Sequence, residues 1–398
     1  MSTMDGHSGS SDAFEVAMVV RLFDPWVGGM ERQAMKLASE LARRGSRVEI
    51  LTGRWYRSTP RAEVRSRVLI TRHHTLWNGT GVRGLRRLGG LAYMASLAWH
   101  LWRRRRRLDV IHVHGLSYHA FVASVLGRRM GIPVIVKLAN SGSASDIGKM
   151  RAGQHLPFTR LMLPAALRAD RLVALNDLVE SELIAAGVST SRIVRIPNGV
   201  EMLETRQSYA LGPVVRILYI GRLHPQKGID VLLRAIAALR NELPTRAIEL
   251  HLVGDGPERD ALADLSDRLG LGEHVHFEGL VTHVAPHLHI ADVLVLPSMA
   301  EGLSNTLLEA MSSGLPVVAS DIVANRTLIE HEVNGMLFAK GDPTALRSVL
   351  EQLLGDEDLR ERVGGEGRQT VESDYSIDHV ASVYERLYGA LLDRAGRP

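Results

Sequence analysis

The chain has 398 residues and not one is cysteine. Disulfides and thiolate metal sites are therefore excluded, and a reducing, cytoplasmic setting is expected. No long apolar run is present. The most apolar early stretch, "LGGLAYMASLAWHLW" (Leu88 to Trp102), is too short for a membrane span and runs into five arginines, Arg103 to Arg107. The opening "MSTMDGHSGSSDA" has no apolar segment, so no signal peptide is expected and residues 1–13 read as a disordered tail. Aromatics make up only 5%, sparse for stacking on bases, and no nucleic-acid-binding motif appears, so no nucleic-acid partner is expected. The stretch "DPWVGGMERQA" fits neither the G-x-G-x-x-G of a dinucleotide fold nor a G-x-x-x-x-G-K-[ST] phosphate loop. No repeat or low-complexity tract stands out.

What is present suits a large α/β protein. The chain is 45% hydrophobic and 23% charged, enough to bury a substantial core. Charge is unevenly placed. Residues 1–200 carry 30 Lys+Arg against 14 Asp+Glu, a balance of +16, and residues 201–398 carry 18 against 30, a balance of −12. A basic half joined to an acidic half suggests two domains with different partners.

Short apolar runs bounded by turn residues alternate with amphipathic stretches. In the first half the expected strands are "FEVAMVV", "SRVEILTG", "DVIHVHG", "IPVIVKL", "DRLVALN" and "RIVRIPN". The pattern restarts after "YALGPVV" with "VRILYIG", "IELHLVGDG", "VHFEG", "ADVLVLP" and "LPVVAS". Continuous apolar strands separated by helices predict parallel sheets. Two doubly wound domains follow: 14–205 on the N-terminal side and 206–375 on the C-terminal side, with the last helix, about 376–398, crossing back to the first. Ligands of such sheets bind beyond the carboxyl ends of the strands.

Four stretches at such ends carry candidate chemistry. In "DPWVGGMERQA", Gly28 and Gly29 precede a helix, where a bare backbone and a helix N-terminus favour an anion, although an ordinary turn explains them equally. In "YIGRLHPQKGID", Gly221 ends a strand, and Arg222 and Lys227 flank a turn, a fork and a point charge suited to a diphosphate. In "LVGDGPERDAL", Gly254 and Gly256 sit in a strand-to-helix turn. In "AEGLSNTLLEAM", Glu301 falls in the loop after a strand, Ser304 or Asn305 is the N-cap, and Glu309 lies in the helix. The backbone N–H groups from Leu303 to Thr306, which follow Gly302, form an anion-binding corner. Carboxylates so placed accept hydroxyl hydrogen bonds, as in sugar and ribose recognition.

These blocks resemble a known family. "EGLSNTLLEAM" is similar to the E-x7-E signature of the retaining glycosyltransferases of family 4, which have the GT-B fold. "GGMERQAMKLASELARRGSRVEILT", "DVIHVHG", "IPNGV", "GRLHPQKGIDVLLRAI", "LHLVGDGPERDAL", "ADVLVLPS" and "SSGLPVVASD" resemble it too, in the family's order, over about residues 14–390. The resemblance implies two Rossmann-like domains facing across a cleft and a nucleotide-sugar donor, UDP- or GDP-linked, held mainly by the C-terminal domain. It implies that Glu301 holds hydroxyls of the transferred sugar and Glu309 the ribose. Arg222 and Lys227 would carry the diphosphate as leaving group. Gly221, Gly254 and Gly302 to Asn305 would line the donor, and Gly28 and Gly29 would approach the diphosphate from the other domain. The implied reaction is metal-independent hexosyl transfer with retention, without a cofactor, to a saccharide or lipid-linked acceptor in cell-surface polysaccharide assembly. Alternatives of the same fold are a sugar phosphorylase, an epimerase or a non-catalytic nucleotide-sugar-binding protein.

The sequence departs from the family at one point. Many members carry an active-site histidine after the strand that here reads "IPVIVKLANSGS", where Ala139 and Asn140 stand. Asn140, Ser141 and Ser143 are the candidates to line that site, and the histidines of "HVHG" read as structural. No metal is expected. Asp356, Glu357 and Asp358 fall in a polar turn, and His283 and His287, at helical spacing, read as a surface cluster. Residues 83–107 combine cations with an apolar face through Leu88, Leu91, Met94, Ala95 and Ala98, a candidate contact with an anionic membrane surface on the inner face of the plasma membrane.

Overall fold

The computed structural model describes residues 13–24, 28–75, 83–138, 140, 145–153, 159–242 and 247–396, with side chains from Leu88 onward in the second helix. The chain forms two compact units. One comprises Met1–Gly199 with Val380–Pro398, and the other Val200–His379.

The first unit is built on an eight-stranded sheet. Its strands are β1 (Glu15–Val20), β2 (Arg47–Gly53), β3 (Ala62–Arg65), β4 (Val68–His73), β5 (Val110–His114), β6 (Val134–Lys137), β7 (Arg171–Ala174) and β8 (Ile193–Arg195). They lie in the order β3-β4-β2-β1-β5-β6-β7-β8. Every pairing is parallel except β3 with β4, an edge hairpin that the sequence pattern did not foretell. Ser66 and Arg67 close it, both with positive φ, as a two-residue hairpin turn needs.

The second unit has six strands, all parallel: β9 (Val214–Ile220), β10 (Ala247–Val253), β11 (Val275–Gly279), β12 (Val293–Leu296), β13 (Val317–Ser320) and β14 (Met336–Phe338). Their order is β11-β10-β9-β12-β13-β14. Strands β12 and β13 are buried throughout, as the unbroken apolar runs require.

Each sheet has one point where strand order reverses, between β1 and β5 in the first and between β9 and β12 in the second. A crevice opens beyond the carboxyl ends at such a point. The terminal helix Ile377–Arg394 belongs, from Val380 onward, to the first unit. Tyr384 and Tyr388 on it are fully buried, and the Tyr388 hydroxyl shares a 2.8 Å hydrogen bond with His112 Nδ1. Arg44 bonds both Ser382 and Glu385 at 2.8 Å, tying the same helix to the first unit.

Helix Arg83–Arg104 corrects the expected single apolar face. Tyr93, Leu97 and Leu101 are fully buried, while Met94 and Ala98 pack half-buried against the same core. Leu88, Leu91, Trp99 and Trp102 form a separate stripe in solvent. Trp99 stacks on Trp102, and the Arg105 guanidinium lies 4.4 Å from the Trp102 ring centre.

Candidate active site

The second unit gathers several of the anticipated residues at its reversal point. Strand β9 ends at Ile220. Gly221 to His224 turn the chain, and a single 3₁₀ turn, Pro225–Lys227, leads into helix Ile229–Glu242. Gly228 then takes a left-handed conformation, φ 62°. A side chain there would collide with the Pro297 carbonyl of the neighbouring loop, so glycine is what lets the two loops touch. Gln226 reinforces the contact: its carbonyl accepts from Met299 N at 2.8 Å, and its side-chain amide donates to the Ala300 carbonyl at 3.0 Å.

The result is an ion pair between Lys227 Nζ and Glu301 Oε1. Ser298 Oγ, itself buried, donates to the same carboxylate oxygen at 2.7 Å. The Tyr219 hydroxyl donates to the Arg222 carbonyl at 3.0 Å. Burial, and then the nearby Glu301 charge, push that hydroxyl well above its ordinary pKa, so it remains a neutral donor. The Arg222 side chain is exposed, and its guanidinium forms no ion pair or hydrogen bond with another described residue.

Gly254 follows β10 and closes on the same place. Its φ is 138°, and a Cβ there would overlap the Gly221 carbonyl. Helix Asn305–Ser312 begins at the loop's far end, and Ser304 is its N-cap, accepting from Leu307 N at 3.3 Å. Gly302 and Asn305 are half-buried, Leu303 and Ser304 are buried, and Glu309 is half-buried in the second turn of the helix.

Gly28 and Gly29 lie in the other unit. Gly28 is the N-cap of helix Gly29–Arg43. The Glu31 carboxylate curls back over Gly28 and accepts from the backbone N–H groups of Gly28 and Glu31, half of a capping box. Burial raises the Glu31 pKa above its usual value. The helix N-terminus expected to meet an anion is thus partly served by a carboxylate.

Beyond the carboxyl ends of β1 and β5 lies a cavity of about 150 Å³ lined by Arg21, Glu31, His114, Asn140, Asp146 and Lys149, among others. Asn140 is there, as the sequence suggested, its amide donating to Asp146 Oδ1 at 2.9 Å. Ala139, Ser141 and Ser143 fall outside the described residues. His114 was read as structural, yet it lines this cavity, and its Nε2 has no hydrogen-bond partner among the described residues. Burial, then His112 and Lys137, hold it neutral, far below its ordinary pKa. His112 is structural: it packs on Tyr384 with ring centres 4.8 Å apart. Sequence reasoning also missed Ser298 and Glu31. Only their places, just past a strand and at N3 of a helix, would have marked them.

The other candidates resolve simply. Asp356 caps helix Glu357–Thr370, accepting from Leu359 N at 2.9 Å. Helix Ala285–Ile290 starts after His283, so His283 and His287 do not share a helix face.

Residues 28–199 match the family model described as "Glycosyl transferase 4-like domain", and residues 214–356 match "Glycosyl transferases group 1". Each domain belongs to a glycosyltransferase family. Among curated relatives, an uncharacterized glycosyltransferase (MJ1607) of Methanocaldococcus jannaschii is 25% identical over 96% of this chain and all of its own length. A D-inositol 3-phosphate glycosyltransferase of Jonesia denitrificans is 27% identical over 90% of this chain and 91% of its own. Among solved structures, sucrose-phosphate synthase from Thermosynechococcus elongatus superposes with a TM-score of 0.76 at 21% identity, covering 96% of this chain and 100% of that one. Anabaena Alr3699/HepE in complex with UDP and glucose gives 0.71 at 19%, covering 95% and 100%. These likenesses establish the glycosyltransferase fold, GT-B, with a Rossmann-like parallel sheet in each domain. No described helix is long and apolar enough to cross a membrane.

Proposed function

We propose that this glycosyltransferase moves a hexose from a nucleoside diphosphate sugar to a saccharide or lipid-linked acceptor, with retention of configuration and no metal at the diphosphate. The observation that carries the reading is the Lys227–Glu301 ion pair at the reversal point of the second sheet, with Arg222 exposed in the same loop after β9. Two cations and the N-terminus of helix Asn305–Ser312 offer what a departing nucleoside diphosphate needs: preorganised positive charge where negative charge develops. Glu301, held by Ser298, accepts hydroxyls of the sugar once Lys227 turns to the phosphate. Glu309 accepts the ribose hydroxyls, and Gly221, Gly254 and Gly302 to Asn305 give the donor close backbone contact. Gly28 and Gly29 join only when Glu31 swings away. The complex of a fold relative with UDP and glucose supports UDP among the donor bases to try first.

The acceptor side belongs to the His114–Asn140 cavity, small and polar enough for a saccharide hydroxyl group. The stripe of Leu88, Leu91, Trp99 and Trp102, followed by exposed Arg103, supports a peripheral seat on an anionic membrane and hence a lipid-linked acceptor in cell-surface polysaccharide assembly.

A nucleotide-sugar screen by thermal shift tests the donor assignment, because a bound donor raises apparent stability by mass action. One donor should raise the melting temperature of the wild type, and Glu309→Ala should weaken its binding. Transfer from that donor in the presence of a chelator, with the product anomer read by NMR, tests metal independence and retention. If no nucleotide sugar shifts the protein, or if Glu309→Ala binds the donor as tightly as wild type, the donor assignment fails.

A further inference from the structure

We propose that the edge of the second sheet carries a transition-metal site, of the kind filled by Zn²⁺, formed by Glu249, His251 and His276. Glu249 and His251 alternate along β10 and so share one face of the sheet. His251 stands opposite His276 in the parallel register of β10 with β11. Their rings stack with centres 4.7 Å apart. One ligand atom from each of the three residues lies within 4.8 Å of the others.

Two observations turn this cluster into a built site. First, His251 Nδ1 donates to Glu278 Oε1 at 2.9 Å. A carboxylate behind a histidine fixes the tautomer and presents the other nitrogen as a lone pair, the usual support of a metal-binding imidazole. Second, that other nitrogen, His251 Nε2, is shut off from solvent and makes no hydrogen bond with another described residue. It faces Glu249 Oε2 across 3.5 Å. Two ligands at about 2.0–2.1 Å on a tetrahedral ion are separated by about 3.4 Å. The gap is the one a zinc ion would bridge, and an orphaned buried imidazole nitrogen is otherwise costly.

Three protein ligands leave a fourth position for water. Imidazole and carboxylate donors without sulfur suit Zn²⁺, Ni²⁺ or Cu²⁺ rather than Mg²⁺ or Ca²⁺. The ion would clamp the edge strand β11 onto β10. Arg216 Nε, 3.8 Å from Glu249 Oε2, competes for one ligand and moderates the affinity. The sequence pattern concealed the site because its ligands sit on two strands and acquire their spacing only through strand pairing.

The test is titration of chelator-stripped full-length protein with ZnCl₂ by calorimetry, and with Co²⁺ by visible absorption. We expect one ion per chain, an intense tetrahedral-type Co²⁺ spectrum and a zinc-dependent rise in melting temperature. His276→Ala, at a half-exposed position that tolerates truncation, should weaken binding at least about tenfold. Glu278→Gln should weaken it about 10–100-fold while leaving the ligands in place, and Arg216→Met should tighten it. The paired change His283→Ala and His287→Ala should leave it untouched. Zinc affinity unaltered in both His276→Ala and Glu278→Gln, or equal loss in the His283/His287 control, overturns the proposal. So does the absence of saturable binding to folded wild type.

Discussion

Replacing Lys227 with methionine separates the catalytic role proposed for the Lys227–Glu301 pair from its structural one. The Lys227 side chain is 23% exposed and that of Glu301 12%. Removing one partner of a fully buried pair costs roughly 3–5 kcal/mol, and of an exposed pair about 0–1 kcal/mol. The intermediate burial here, with Ser298 still donating to the carboxylate, puts the loss near 1–2 kcal/mol. A domain with ordinary stability of about 5–15 kcal/mol stays folded after that loss. If Lys227 stabilises the departing diphosphate, turnover should fall about 10²–10³-fold, equivalent to roughly 3–4 kcal/mol of transition-state stabilisation. The assay is kcat and KM for sugar transfer, beside urea unfolding of the same preparation. The double variant K227M/E301Q should recover stability over K227M, because no unpaired carboxylate remains, yet stay inactive. A kcat within about threefold of wild type, or a loss confined to KM, refutes the leaving-group role, since the latter marks uniform binding.

Three further outcomes follow from other parts of the molecule. Gly254→Ala should destabilise the second unit by about 2–4 kcal/mol, read as a lower urea midpoint, because φ 138° and the Gly221 carbonyl both oppose a Cβ. Lys137 is buried in β6, and burial lowers its ammonium from 10.5 to about 7. The unfolded chain then binds the extra proton between pH 7 and 10.5, so wild-type stability should rise with pH across that window, by at most roughly 5 kcal/mol. In Lys137→Met this rise should vanish, and the variant should be the more stable at pH 6, as pH-dependent thermal melts will report. Wild type should sediment with anionic liposomes in a salt-sensitive manner, and the double variant Trp99→Ser, Trp102→Ser should bind several-fold less. Equal binding to neutral vesicles, or none to either, removes the membrane seat.

Buried parallel strands declare themselves in sequence, because both faces are apolar. "VLVL" and "VVAS" can be little else between turn signals, and β12 and β13 are buried at every position. The edge hairpin β3–β4 was illegible for the converse reason. It is laced with arginine, and its turn is Ser66–Arg67 rather than a glycine-bearing pair, so neither composition nor turn chemistry announces it. Helix Arg83–Arg104 was legible as a helix but not in its orientation. Two apolar stripes share its surface, and only packing decides that Tyr93, Leu97 and Leu101 face the core while Trp99 and Trp102 do not.

The candidate site divides in the same way. Arg222, Lys227, Gly254 and Glu301 could be singled out because each lies in the loop that follows a strand of a doubly wound sheet, and there topology turns sequence position into spatial position. Strand order does the rest. Placing β9 beside β12 brings Lys227 and Glu301 together across 74 residues. Side chains whose role depends on a partner elsewhere stay hidden. Glu31 looks like any first-turn acid until its carboxylate is found over Gly28. His114 looks like any core histidine until a cavity opens beside it, and His251 like any strand residue until His276 arrives in register. Residues that act through chain position can thus be read one strand at a time. Residues that act through pairing require the sheet itself, and that is where the carboxylate competing with an anion, the cavity histidine and the metal cluster all reside.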